Sequence, residues 1–243
     1  LAESFDELPR SVLLVFQPAE ETTGGARFIC ESGVFERYGV DRVFGFHLWP
    51  DLAMGEVASR PGPLLAATSE STFDFIAKAA DGADSLEAGM RFVLDAYDYM
   101  AEQAKAEPCL LKFGLLQSGQ ARNVISSHTH IEGSLRTYSD TMTVTAKQHL
   151  AELAERRAAE AGCTCTVHFS EGYPPVVNNE ALFDLARTAL PDLHELPEPL
   201  LIGEDFAFYQ RHLPGLFMLL GTGTGIPLHS DEFRMDEDVL VRG

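Results

Sequence analysis

Two carboxylates stand side by side in VFQPAEETTGG, residues 15–25, where an apolar run ends at Pro18 and Glu20 and Glu21 follow. A strand or turn sends successive side chains in different directions, so such a pair can serve two partners, one holding a metal and one moving a proton. The same pair also reads as a solvated turn before a helix, with Glu21 and Thr22 decorating its first turn. Three other polar clusters follow apolar stretches in the same way: His47 in VFGFHLWP, Glu204 and Asp205 in IGEDF, and His229 in IPLHSDEF. All four fall at the C-terminal edges of expected core strands or in the loops beside them, the edge where open parallel α/β sheets bind ligands. Taken one at a time, each histidine fits a structural role. Together with a carboxylate pair they match the mixed imidazole and carboxylate set used for zinc, manganese and related divalent ions.

The elements that must position these residues can be read from the apolar periodicity. SVLLVFQ, residues 11–17, predicts a strand buried on both faces. GGARFICESGVFERYG predicts a helix that stops at Gly39, and DRVFGFHLWP predicts the next strand. Strand, helix, strand is the βαβ pattern of a parallel α/β sheet. Prolines and small residues in SRPGPLLAATSE, residues 59–70, mark a crossing into another unit.

In that unit STFDFIAK (71–78), CLLKFGLLQSG (109–119), HTHIEGSLRTY (128–138) and CTCTVHFSEG (163–172) read as strands. Residues 84–106 and 143–162 read as helices, so the order β-α-β-β-α-β is that of a ferredoxin-like split βαβ. After YPPVVNN, a helix is expected over 181–190 and a buried strand over 215–223. The resulting expectation is an α/β fold in which a parallel-rich domain, 1–67 and 173–243, carries an inserted α/β domain, 68–172.

Composition narrows the partners. With 18 Lys and Arg against 37 Asp and Glu, the formal charge of -19 opposes binding to nucleic acid or anionic lipid. Small molecules or proteins are the expected partners. No apolar run approaches the roughly 20 residues needed to span a bilayer, and the first ten residues lack the basic and apolar regions of a signal peptide. A soluble, cytoplasmic protein with reduced cysteines (Cys30, Cys109, Cys163, Cys165) is expected. His128 and His130 share one strand face at i, i+2, while His149, His168, His194 and His212 have no partner motif and read as structural or exposed.

FQPAEE followed by GGA, then VFGFHLWP, NVISSHTHIEGSLRT, IGEDFAFY, LPGLFMLLGTG and PLHSDEFRMDEDVL occur in that order along nearly the whole chain. This set resembles the metal-dependent aminoacylase and hippurate-hydrolase type amidohydrolases of the dimetal metallopeptidase clan. Indole-acetyl-amino-acid hydrolases and N-acetyl-diaminopimelate deacetylases belong to the same group. The resemblance implies two divalent ions (zinc, manganese, nickel or cobalt), with Glu20 as the general base that activates water and Glu21, His47 and His229 as metal ligands. It also implies that Asn123 and Arg136, on an inserted domain that closes over the site, bind the substrate carboxylate or the reacting oxyanion. Glu204 and Asp205 match a motif lining the site, as groups that stand behind the ligands or cap a helix rather than as ligands. The implied substrate is an N-acyl amino acid: hippurate, N-acetyl amino acids, acetylated diaminopimelate and aminobenzoyl-glutamate all remain open. A homodimer through an edge strand of the inserted domain is expected as well.

The sequence departs from that family in three places. The HxCGHD-type segment that supplies further ligands has no counterpart, the glycine-rich GHAA-like stretch of the inserted domain is replaced by FDFIAKAADGAD, and no helix follows LVRG. Leu1 also opens on what reads as a helix end. The intact alternation of elements predicts that the protein continues beyond these 243 residues, because losing the first strands of a core sheet would leave an unpaired edge and an exposed apolar face. The rival expectation is a non-catalytic binding or assembly protein that kept the fold and lost the metals.

Overall fold

GLFMLLG, residues 215–221, is the apolar run around which the first sheet is built, and the computed structural model, which describes residues 10–22, 24–78 and 82–242, buries all seven of these residues. The elements in chain order are α1 (Gly25–Glu31), α2 (Val34–Tyr38), β1 (Val43–Trp49), β2 (Val57–Ser59), β3 (Gly62–Leu65), β4 (Ala67–Ala77), α3 (Ser85–Gln103), β5 (Cys109–Ser118), β6 (His128–Thr137), α4 (Asp140–Glu160), β7 (Cys163–Phe169), β8 (Val176–Asn178), α5 (Glu180–Ala189), β9 (His194–Glu195) and β10 (Gly215–Gly221). The first sheet has the order β1-β10-β2-β9. β1 runs parallel to β10 from Val43 opposite Gly215 to Trp49 opposite Gly221, β2 is antiparallel to β10, and β9 is parallel to β2. The fold is therefore mixed α/β with parallel pairs in the sheet.

β10 is covered on both faces, which is why its sequence is apolar without alternation. Phe217 and Leu219 pack with Ala26, Cys30, Phe35 and Phe206 on one side, and Leu216, Met218 and Leu220 pack with Leu182 and Phe183 of α5 on the other. Gly45 of β1 permits a close approach in this layer, since a Cβ there would lie 2.8 Å from the Phe206 ring. The crossing expected at YPPVVNN is pinned by Asn178, whose side chain accepts from the Phe217 amide at 2.7 Å and donates to the Phe217 and Arg60 carbonyls.

The second sheet has the order β5-β6-β4-β7 with every neighbouring pair antiparallel. α3 and α4 cover one face, closing a core of Phe73, Phe75, Phe92, Ile131, Leu135 and Leu150. Each helix starts where a capping residue satisfies its free amides: the Asp84 side chain accepts from Leu86 and Glu87, and Ser139 accepts from Met142. The other face of this sheet carries Asp74, His128, His130, Glu132 and Arg136 at alternating positions. No described helix is long and apolar enough to cross a membrane.

Two expectations about elements are corrected. Residues 11–17 form no strand: Val12, Leu14 and Phe16 are exposed, Phe16 to 90%. Apolar β-branched character makes a strand only where a ladder partner exists, and among the described residues β1 pairs with β10 alone. The helix expected over residues 24–39 is two short helices, because Gly33 at φ 71° takes the left-handed conformation and breaks it before Gly39 ends the second. The opening residues read as a helix end, and residues 79–81 within the FDFIAKAADGAD stretch, lie outside the described residues.

Candidate metal and catalytic centre

Glu20 is presented by a strained turn. Ala19 has φ 63°, the only non-glycine in the left-handed region among the described residues, and its carbonyl accepts from the Gly24 amide at 3.1 Å. The turn folds tightly on the start of α1, where a Cβ on Gly25 would lie 1.9 Å from the Pro18 carbonyl oxygen. Only glycine fits at that position. The Tyr173 hydroxyl donates to the Glu20 carbonyl at 2.5 Å and fixes the turn from the crossing segment.

Behind this turn lies Asp205, buried at the start of the 3-10 helix Asp205–Arg211. Its carboxylate accepts from Gln17 Nε2 at 2.8 Å through each oxygen and from the Ala26 amide at 3.1 Å. Gln17 in turn accepts from the Tyr209 hydroxyl at 2.6 Å. Glu204 caps the same 3-10 helix by accepting from the Phe206 amide. One ligand atom each from Glu20, Glu204 and Asp205 lie within 4.8 Å of one another.

Crowding Glu20 and Glu204 out of water raises their proton affinity. Burial, and then the neighbouring charges of Glu21 and Asp205, push the Glu20 carboxyl above its ordinary value. Burial and the charge of Glu20 push Glu204 far higher. Burial first and Glu20 next also raise the Tyr173 hydroxyl. No Lys or Arg contributes to either carboxylate. His229 opposes the rise only weakly at Glu20, and a concentration of negative charge so lightly balanced fits a bound cation.

Glu21 is exposed, with its Oε1 3.9 Å from Nε2 of His229, itself exposed. His47, in β1, places Nδ1 2.7 Å from the Leu48 carbonyl oxygen. A carbonyl only accepts, so Nδ1 carries the proton and Nε2 of the neutral ring keeps a lone pair for an ion. The structure thus joins Glu20 with Glu204 and Asp205, and Glu21 with His229. Among the described residues, no hydrogen bond or ion pair links His47 to either group. Glu204 caps the 3-10 helix and Asp205 is braced by Gln17, and both carboxylates stand close enough to Glu20 to share a cation.

Asn123 and Arg136 are not brought to Glu20. Asn123 lies exposed in the turn between β5 and β6, and Arg136 Nη2 is 4.0 Å from Glu70. Arg136 is opposite Thr68 in the ladder, and Thr68 Oγ1 accepts from the Tyr173 amide at 3.1 Å, so Arg136 is at the end of its sheet nearest the Glu20 turn. Gln17, Tyr173 and Tyr209 are the bracing residues that the sequence did not single out. Gln17 stands inside the FQPAEE motif as the polar residue ending an apolar run, the signal that could have found it.

Comparison with known proteins identifies the family. Residues 1–243 match the model of peptidase family M20/M25/M40. An uncharacterized hydrolase of Staphylococcus epidermidis is 31% identical over 252 residues, covering 97% of this chain and 66% of the relative. The Bacillus subtilis YXEP protein, a dinuclear metal-binding peptidase from the M20 family, is 29% identical with a TM-score of 0.78 over 93% of this chain and 60% of that one. A protein of methicillin-resistant Staphylococcus aureus is 26% identical with a TM-score of 0.82, covering 93% of this chain and 62% of that one. The chain spans about two thirds of the length of the curated relative.

Proposed function

The chain belongs to peptidase family M20/M25/M40, and we propose that it is a metal-dependent amidohydrolase that cleaves the amide bond of N-acyl amino acids. The observation that carries this reading is Glu20, a half-buried carboxylate on a strained turn whose proton affinity is raised by burial, Glu21 and Asp205. A carboxylate so placed takes a proton from the attacking water and returns it to the leaving nitrogen. Its neighbour Glu21, with His229 and His47, would hold two divalent ions of the zinc, manganese, nickel or cobalt class, which these donor types suit. When bound, the ions supply Lewis acidity to the scissile carbonyl and ease ionisation of the water. Gln17 and Tyr209 keep Asp205 fixed behind the turn, so Glu20 keeps its direction as its proton comes and goes.

In the same proposal the chain divides into a metal-binding domain, 1–67 and 173–243, and an inserted domain, 68–172. The strand order β5-β6-β4-β7 supports reading the insert as ferredoxin-like. It would act as a lid, bringing Arg136 and Asn123 onto the substrate carboxylate or the reacting oxyanion, with the guanidinium able to grip both carboxylate oxygens. Its edge strands β5 and β7 are available for a homodimer.

Metal content and turnover test it together. The full-length protein, purified without chelator, should carry about two equivalents of divalent metal and hydrolyse at least one of hippurate, an N-acetyl amino acid, acetylated diaminopimelate or aminobenzoyl-glutamate. Protein that stays metal-free after incubation with zinc, manganese, nickel and cobalt, and hydrolyses none of them, would instead be a binding protein on a hydrolase frame.

A further inference from the structure

The solvent-facing side of the β5-β6-β4-β7 sheet holds a cluster that the amidohydrolase reading does not use. His128 and His130 are two residues apart on β6 and point to the same face, and Asp74 of β4 is directly opposite His130 in the ladder. Asp74 Oδ1 lies 2.8 Å from His128 Nε2 and 2.8 Å from His130 Nδ1. On the far side of the second ring, His130 Nε2 is 2.9 Å from Glu132 Oε1. We propose that Asp74, His128 and His130 form a binding site for one divalent ion of the zinc class, separate from the Glu20 cluster, with Glu132 orienting His130 from behind.

Three features distinguish this arrangement from an ordinary surface ion pair. The first is convergence: a single carboxylate oxygen is shared by two imidazoles, and one ligand atom from each of the three residues lies within 4.8 Å of the others. An ion pair needs only one partner. The second is the donor set, since two imidazole nitrogens and one carboxylate are what zinc takes when it keeps a fourth position for water. The third is Glu132. Accepting a hydrogen bond from Nε2–H of His130, it leaves Nδ1 to coordinate, which is the carboxylate–histidine relation found behind metal ligands.

The distances also fit exchange of a proton for an ion. Bonds of about 2.0–2.1 Å at tetrahedral angles separate ligand atoms by roughly 3.3 Å. The contacts at 2.8 Å are hydrogen bonds and need open by only about half an ångström, a small rotation of side chains that are not fully buried. The protons on His130 Nδ1 and His128 Nε2 both leave to solvent as the ion enters, freeing one nitrogen of each ring to coordinate. The fourth position has room, because His128 is 56% exposed and a cavity of about 320 Å³ opens beside it between Gln117, Val124 and Ile125. A water or another small donor completes the shell there. The ion would tie the ladder partners β4 and β6 together at the end of the sheet away from Arg136.

Zinc binding to the full-length protein, followed by equilibrium dialysis and by the imidazole proton–nitrogen resonances of its histidines, tests the site. Wild type should bind about one equivalent more than Asp74→Asn or His130→Gln, and Glu132→Gln should keep that equivalent with affinity weakened about 10–100-fold. The His128 and His130 resonances of wild type should shift as the extra equivalent fills. Equal stoichiometry in wild type and both ligand variants overturns the site. Histidine resonances in wild type that do not move on zinc addition overturn it as well, and that result needs no variant to fold. Because the readout is a difference of one equivalent on a different sheet, it is independent of whether the Glu20 centre binds metal.

Discussion

Two acidic clusters in one chain solve the problem of a partly desolvated carboxylate in opposite ways. Around Glu20, burial leads and the neighbouring carboxylates add to it, so the Glu20 and Glu204 carboxyls rise. Around Asp74, burial alone would raise the carboxyl, but hydrogen bonds from His130 and His128 outweigh it and the carboxyl falls. His130 rises in response, through its hydrogen bonds to Glu132 and to Asp74. The first cluster holds charge that His229 offsets only weakly at Glu20, whereas the second is balanced by its own imidazoles. Unpaired charge near a reacting centre is what a general base and a bound cation need; balanced charge suits a position where an ion is optional.

The largest effect should come from testing the first half of that contrast. Glu20→Gln keeps the shape and removes the proton acceptor, so turnover of the preferred N-acyl amino acid should fall about 10²–10⁴-fold. Metal content, measured on the same preparation, should stay unchanged because the ligands assigned to Glu21, His47 and His229 are intact. Full turnover in Glu20→Gln would reduce the acidic cluster to a buried repulsion and leave solvent exposure as the only difference between the two sites.

A smaller effect separates the clusters by pH in chelated protein. Glu20 and Glu204 have folded values above the unfolded one, so their contribution is fully present below about pH 4.3 and is lost as pH rises through the raised values. Asp74 has a depressed folded value, so its contribution is present above about pH 3.9 and is lost as pH falls through that value. Glu204→Gln retains an oxygen to accept from the Phe206 amide and removes the charge. In the chelated protein it should flatten the decline of Tm between about pH 5 and pH 8, a gain on the order of 1–2 kcal/mol at the upper end. A variant whose Tm falls with pH as steeply as wild type would show that the crowding at Glu204 is relaxed in solution.

The two clusters also differ in how far the sequence reveals them. Apolar β10 and the β-α-β-β-α-β order are local patterns, and each could be read before any coordinates. The strand expected at 11–17 was not local in the same sense, because a strand exists only with its ladder partner. Glu20, Glu21 and His229 are visible as motifs. The bracing that fixes them is not, since Gln17 reaches Asp205 across 188 positions and Tyr209 across 192. At the other cluster the i, i+2 histidines are legible, while Asp74 is 56 positions from His130 and becomes a partner only through the register of β4 on β6.

The smallest effect tests the claim that the second cluster is balanced without an ion. Asp74 is 30% exposed and His130 26%, and pairs with this much access to water contribute about 0–1 kcal/mol because solvent and salt screen them. In chelated protein near neutral pH, Asp74→Asn should therefore lower stability by less than about 1 kcal/mol, and added salt should shrink even that. Zinc should then separate the proteins. At about 100 times its dissociation constant an ion that binds only the folded state adds about 2.7 kcal/mol, a term wild type gains at this site and Asp74→Asn does not. A loss of about 3 kcal/mol in the chelated variant would be the signature of a broken buried pair instead. The histidines would then be fixed structural partners of Asp74, and both clusters would be governed by burial rather than by charge balance.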